Sequence, residues 1–258
     1  MKISFVGAGN VAWHLAPAFE NVGHKVIEVY SRDSTNAKKL SSRLYEAKPI
    51  TSLDLSKSEA QLLVIALADD AIEEVLKELI IPDNTIVVHT SGSKELAVLN
   101  FIPTSNTGVF YPLQTFSKSK KVDFNTLPIL IESEEKSTLK ILLKLGKAIS
   151  KNVTKVSSSS RKALHISAVF ASNFTNHMLS ISSELLKDNS LDFSLLKPLI
   201  IETINKSLAI GPLQAQTGPA RRHDLGILEN HKEYLSSQPE LAEIYHVISQ
   251  HIINTFPE

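Results

Sequence analysis

The chain has 258 residues, 43% hydrophobic and 21% charged, with 27 basic and 27 acidic side chains. That length suits one large domain or two ordinary ones, and the balanced charge gives no electrostatic reason to expect nucleic acid or an anionic membrane as partner. There is no cysteine, which excludes disulfides, thiol nucleophiles and thiolate metal sites. The first residues join a short apolar run to glycines without the long apolar stretch of a secretory signal. No run approaches the roughly 20 apolar residues of a membrane span, so a cytoplasmic protein is expected.

Residues 2–6 read as a short buried strand that stops at Gly7. Residues 10–22 carry helical spacing through Val11, Leu15, Ala18, Phe19 and Val22, and Gly23 ends it. A second strand covers 25–30, and Ser34 is placed to cap a helix reaching Leu44. Residues 62–67 form an unbroken apolar run, the mark of a strand buried on both faces. Asp69 and Asp70 are placed to cap a helix over 71–80. Strands fit 85–89, 107–111 and 128–131, and a helix fits 134–150. This alternation predicts an α/β fold, a doubly wound parallel sheet of Rossmann type. The serines at 157–160 read as a linker. Beyond them strand signals fade. A helix over 161–187 is apolar on most sides and expected to be buried, and helices also fit 192–209, 224–236 and 239–254. Two domains follow, α/β over 1–155 and all-helical over 156–258.

Gly7-Ala8-Gly9-Asn10-Val11-Ala12 is G-x-G-x-x-A between a strand and a helix, with a second strand on schedule. The first glycine permits the tight turn, the second lets a pyrophosphate approach the backbone, and the small Ala12 lets the helix pack on the strand. The helix N-terminus offers free amides to the phosphates. A dinucleotide is therefore expected. NAD sites place an acid at the end of the second strand to hold the ribose hydroxyls. Here the nearby acid, Glu28, lies inside the strand, and the end reads Tyr30-Ser31-Arg32. An arginine pairs with a 2′-phosphate and a serine donates to it, so NADP is expected ahead of NAD.

The strings VYSR, HTSGS, GVFYPLQTF, FASNFTNH and QTGPARR follow the glycine motif in order along the whole chain. Together they resemble a family of NADP oxidoreductases with a Rossmann-like N-terminal domain and a C-terminal helical domain of unknown function. The N-terminal half is similar to pyrroline-5-carboxylate reductase and deazaflavin-dependent NADP reductases. More distantly the whole resembles prephenate and β-hydroxyacid dehydrogenases. The resemblance implies a helical domain like the C-terminal one of 6-phosphogluconate dehydrogenase, a homodimer formed through it, and a small-molecule substrate at the domain interface.

In a doubly wound sheet the ligand lies outside the C-terminal strand ends. Cofactor contacts are therefore expected from Gly7, Ala8, Gly9, Asn10, Val11, Ser31, Arg32, Ala66, Leu67, Ala68, His89, Thr90 and Ser91. His89 reads equally as a strand-end residue satisfied by backbone. Tyr111 and Gln114 are candidates to orient a substrate, Tyr111 as a proton donor, although an unperturbed phenol is a poor acid. Ile166, Phe170, Asn173, His177 and Ile181 share one helical face, with two polar groups in an apolar stripe. The resemblance to β-hydroxyacid dehydrogenases implies a catalytic lysine here; this chain has Asn173 and His177 and lacks it. His177 can exchange protons near neutral pH, whereas Asn173 can only hydrogen-bond. Arg222 is a candidate carboxylate or phosphate clamp, or else pairs structurally with an aspartate, and Asp224 is placed to cap the next helix. No His, Asp and Glu set has metal-site spacing.

The expected activity is hydride transfer between nicotinamide and a small carbonyl, hydroxyl or imine, with His177, Asn173 and Tyr111 at the chemistry and Gln114 and Arg222 on the substrate. The alternative is a non-catalytic NADP sensor or dimeric assembly module.

Overall fold

The structure, a computed structural model, describes residues 1–257. Its chain divides into two compact units, 1–176 and 177–258.

The first unit is built on one eight-stranded sheet in the order β3-β2-β1-β4-β5-β6-β7-β8. The chain runs β1 (Lys2–Val6), α1 (Asn10–Asn21), β2 (Lys25–Tyr30), α2 (Ser34–Ser41), β3 (Lys48–Ile50), β4 (Leu62–Ile65), α3 (Asp69–Glu78), β5 (Ile86–His89), a 3₁₀ segment (Leu96–Phe101), β6 (Thr107–Pro112), β7 (Ile129–Glu132), α4 (Lys136–Ile149) and β8 (Val153–Lys155). All neighbours pair parallel except β6 and β7. The central strands β1, β4 and β5 are almost wholly apolar, Ser4 and His89 being the buried exceptions, because both faces are covered. Ile3, Phe5, Leu62, Val64 and Val88 pack into one core with α1 and α4, and Val6, Leu63, Ile65 and Val87 into the other with α3. Order reverses between β1 and β4, where such sheets open a crevice at their carboxyl ends.

Helix α1 contains Pro17, which has no N–H for the Trp13 carbonyl. Arg43 supplies the missing donor, its Nη1 lying 2.7 Å from that oxygen with the guanidinium 4.0 Å above the Trp13 ring. Several helix starts in this unit differ from the sequence expectation by one to three residues. Asp33, not Ser34, caps α2, accepting from the Thr35 N–H at 2.8 Å. Asp69 and Asp70 lie inside the first turn of α3, where they complement the helix dipole rather than cap it.

The serines are not a linker. Ser157 caps α5 (Ser158–Ala168), and Ser158 donates from both N–H and hydroxyl to Glu132 on β7. Arg161, 0% exposed, pairs with Glu132 at 2.6 Å, donates from Nε to the Ser91 carbonyl at 3.2 Å and reaches the Lys94 carbonyl. These bonds bind α5 to the sheet. A π-helical segment (Val169–Phe174) follows, so the first unit extends past the boundary expected near residue 155.

The second unit holds most of α6 (Thr175–Asp188), then a 3₁₀ turn (Phe193–Leu196), α7 (Lys197–Ile210), the single turn α8 (Pro212–Ala215), a second 3₁₀ turn (Ala220–Arg222), α9 (Leu225–Tyr234) and α10 (Pro239–Thr255). Among its described residues only Ala220, Leu228 and Leu235 are buried. The stretch over 161–187 is likewise not buried: Arg161 is its one buried residue, and Phe170 and Phe174 pack edge to face in the open.

Candidate functional site

The turn from β1 into α1 needs its first glycine for two reasons. Gly7 has φ +112°, and a Cβ there would meet the Ala66 carbonyl oxygen at 2.2 Å. Gly9 is different. Its φ is −76°, and the nearest atom to an added Cβ is 4.0 Å away. The chain's own packing does not demand that glycine, so the space above it remains for a ligand. No side chain caps α1, which leaves its first-turn amides facing that space.

A cleft of about 500 Å³ opens here. Gly7, Ala8, Gly9, Asn10, Ser31, Arg32, Ala66, Leu67 and Ala68 line it, all expected from the sequence, together with Lys118. Arg32 is exposed and without a partner among the described residues. Lys118 lies 5.0 Å from the Trp13 ring. Glu28 is not in the wall, because its carboxylate accepts from the hydroxyls of Ser4, at 2.7 Å, and Ser58. Asp33, which the sequence reading passed over, is. Its carboxylate is engaged by Thr35 N and, at 3.1 Å, Asn36 Nδ2, and the bonds from Thr35 hold it below the usual carboxylate range. An open anion cradle with an unpaired arginine beside it fits a dinucleotide carrying a 2′-phosphate.

The loop after β6 leads to a second recess, of about 470 Å³, within the same unit. Asn10 donates to the Phe116 carbonyl at 3.1 Å, and His14 Nε2 to the Ser117 carbonyl at 2.8 Å. One loop thus sends Phe116 into the recess and Lys118 into the cofactor cleft. Tyr111, Gln114 and Asn173, candidates from the sequence, line the recess together with Ser172 and His165, which the sequence did not single out. Thr115 and Ser172 share a hydroxyl hydrogen bond of 2.9 Å, tying loop to helix. Neither lysine, arginine nor a carboxylate lines the recess.

At its inner wall Tyr111 Oη lies 2.9 Å from His165 Nδ1, with the rings edge to face. Gly92 sits against both. A Cβ there would come within 2.5 Å of His165 Nδ1 and 2.9 Å of Tyr111 Cζ. Burial pushes the Tyr111 phenol up and the Asp69 charge adds to this, while the Arg161 guanidinium pulls it down.

Other expected residues lie elsewhere. His89 is 0% exposed. Its Nδ1 accepts from the Ser91 N–H at 3.2 Å, its Nε2 has no hydrogen bond, and burial beside Arg161 pushes the imidazole down to about 3. Thr90 and Ser91 are buried, with Thr90 Oγ1 donating to the Ile65 carbonyl and Ser91 Oγ accepting from Ser93 and Lys94. Val11 packs against the core. His177 opens the second unit and is exposed. The π-helical turn inserts an extra residue ahead of it, so the α-helical stripe joining Asn173 to His177 loses phase. Arg222 is held by Asp224 at 2.8 Å, and Asp224 therefore does not cap α9. Among the described residues no group of three or more His, Asp and Glu could hold a metal.

The sheet, its crevice and the glycine turn define a Rossmann-type dinucleotide-binding protein with an appended helical unit. A Rossmann-like domain model matches residues 1–115, and a domain of unknown function, DUF2520, matches 127–252. A "putative NADP oxidoreductase" from Bacteroides fragilis is similar at 37% identity over 98% of both chains, with a TM-score of 0.89. The chain belongs to that family. A Thermotoga maritima protein shares the fold at 21% identity and TM-score 0.68 over 97% of this chain and 96% of its own. An imine reductase from Myxococcus stipitatus, in complex with NADP+, shares it at 14% identity and 0.66 over 99% of both. No curated protein matches the chain.

Proposed function

We propose that this protein is an NADP-dependent oxidoreductase acting on a small carbonyl, hydroxyl or imine compound. The observation that carries the reading is the open N-terminus of α1 beside unpaired Arg32, in a cleft whose far loop continues into a polar, uncharged recess. Gly7–Asn10 would receive the pyrophosphate and Ser31 and Arg32 the 2′-phosphate. Bound nicotinamide supplies or accepts a hydride. Gln114, Ser172 and Asn173 offer neutral hydrogen bonds to orient a substrate, and Phe116 and Val169 shield it from water. A second reading, a non-catalytic NADP sensor, draws support from the absence of lysine in that recess.

NADPH should bind more tightly than NADH. Arg32→Ala should cost NADPH roughly tenfold or more and NADH little, since a charged bidentate contact is lost only with the 2′-phosphate. Equal losses for the two cofactors would sink the assignment.

The working form proposed is a cytoplasmic homodimer. Leu199, Leu208 and Leu213 of the second unit are each more than 60% exposed in the single chain. An 82-residue helical unit with so little core needs a partner to cover such surface, and a second copy offers the same apolar faces to cover it. No described helix is long and apolar enough to cross a membrane.

A further inference from the structure

We infer that Tyr111 and His165 form a proton relay that serves the recess, with Tyr111 as the catalytic acid and His165 its source of protons. The inference rests on the proposed oxidoreductase activity and adds to it the residues that balance the charge of hydride transfer.

The geometry carries the argument. Both side chains line the recess and are half-buried, joined by the 2.9 Å bond. Three features hold them in place. Tyr111 stands on β6. His165 lies one turn along α5 from Arg161, whose buried bonds fix that helix to the sheet. Gly92 lacks the Cβ that would push them apart. A phenol alone is a poor proton donor near neutral pH, whereas a phenol bonded to an imidazole can be reprotonated as fast as it gives.

As the substrate carbon takes up a hydride from reduced nicotinamide, the Tyr111 O–H bond breaks and its proton goes to the carbonyl oxygen or imine nitrogen. The phenolate oxygen then takes the Nδ1 proton of His165 as Nε2 takes one from solvent, so the ring changes tautomer without becoming an anion. Oxidation of a hydroxyl runs the same path backwards. The charged groups facing the pair are Arg161 on α5, which favours a phenolate, and Asp69 on α3, which opposes it. Glu132 on β7 partly neutralises Arg161, and buried His89 on β5 is neutral.

The test compares wild type, Tyr111→Phe and His165→Gln, with NADPH and a panel of simple aldehydes, ketones and cyclic imines. Tyr111→Phe should lower kcat by roughly 100-fold or more, and His165→Gln by roughly tenfold or more, the range general acid catalysis supplies. NADPH affinity should stay within about twofold, because neither side chain lines the cofactor cleft. Wild-type kcat should fall at alkaline pH, and that fall should flatten in both variants; a merely structural bond would leave the profile in place. Without any cofactor, a downfield hydroxyl proton resonance should appear in wild type and vanish in both variants. Unchanged kcat and pH profile in a folded Tyr111→Phe protein would overturn the relay alone. Wild type that binds NADPH but turns over no panel member would overturn the oxidoreductase reading and the relay with it.

Discussion

The two units of this chain solve the problem of stability differently. The first covers both faces of a sheet, so β1, β4 and β5 are buried at every position beyond Lys2 and apolar there except at Ser4 and His89. The second has helices but almost no interior: α6, α7 and α10 contain no buried residue. Apolar composition is shared by both, so composition does not distinguish a strand that finds its cover within the chain from a helix that must find it in another copy. A sheet segment completes its core locally through crossover helices. An amphipathic helix with apolar residues on several sides does not.

The largest expected effect breaks that comparison directly. On dilution into the nanomolar range, the second unit should lose helical circular dichroism while tryptophan emission from Trp13, in α1 of the first unit, stays native. Apparent melting temperature of the helical signal should rise with protein concentration, as mass action requires when only the assembled form is folded. Concentration-independent melting would mean the second unit is stable alone and the homodimer is not needed.

A smaller effect comes from inside the first unit. His89 is a base whose folded pKa, about 3, lies below the ordinary 6.5, so the unfolded chain binds the extra proton. Its neutral burial is free above pH 6.5 and increasingly costly as pH falls toward 3. At pH 5 the loss is about 2 kcal/mol from these two values. Most carboxylates contribute below pH 4.5; Glu20, pushed up by burial, works against the loss and is common to wild type and variant. His24, also pushed down by burial and by the N-terminal ammonium, adds in the same direction. Urea unfolding of wild type and His89→Gln at pH 7 and pH 5 checks this. The gap between the two proteins should narrow by about 2 kcal/mol on acidification, and a constant gap would show that His89 is not the group responsible.

How much of this was legible in the sequence depends on how far apart the interacting residues lie. The glycine turn, the central strands and Ser31-Arg32 could be read because their signals span a few residues. β3 and β8 could not. Each is three residues long, with Lys-Pro-Ile and Val-Thr-Lys, and each exists because its backbone pairs with a neighbour. The π-helical turn has the composition of an α-helix, so the stripe through Asn173 and His177 looked continuous. His165 was missed for a different reason: its partner Tyr111 stands 54 residues away. The serine run was misread because its job, capping α5 and meeting Glu132, depends on a strand 26 residues earlier.

The finest expected effect separates two roles of one residue in the cofactor cleft. Asp33 caps α2 and also puts a carboxylate into the wall that Arg32 shares. Asparagine caps a helix as well as aspartate does, so Asp33→Asn should leave stability nearly unchanged. It should, however, remove a negative charge beside the proposed 2′-phosphate. NADPH should then bind a few-fold more tightly, with NADH nearly unaffected, and the gain should shrink as salt screens the exposed charge. Aspartate at this position would thus be a mild brake on the affinity that Arg32 provides. If Asp33→Asn tightens both cofactors equally, the 2′-phosphate does not lie beside this helix start. If it weakens both, the Asp33 carboxylate itself holds the ribose, and NAD becomes the better fit.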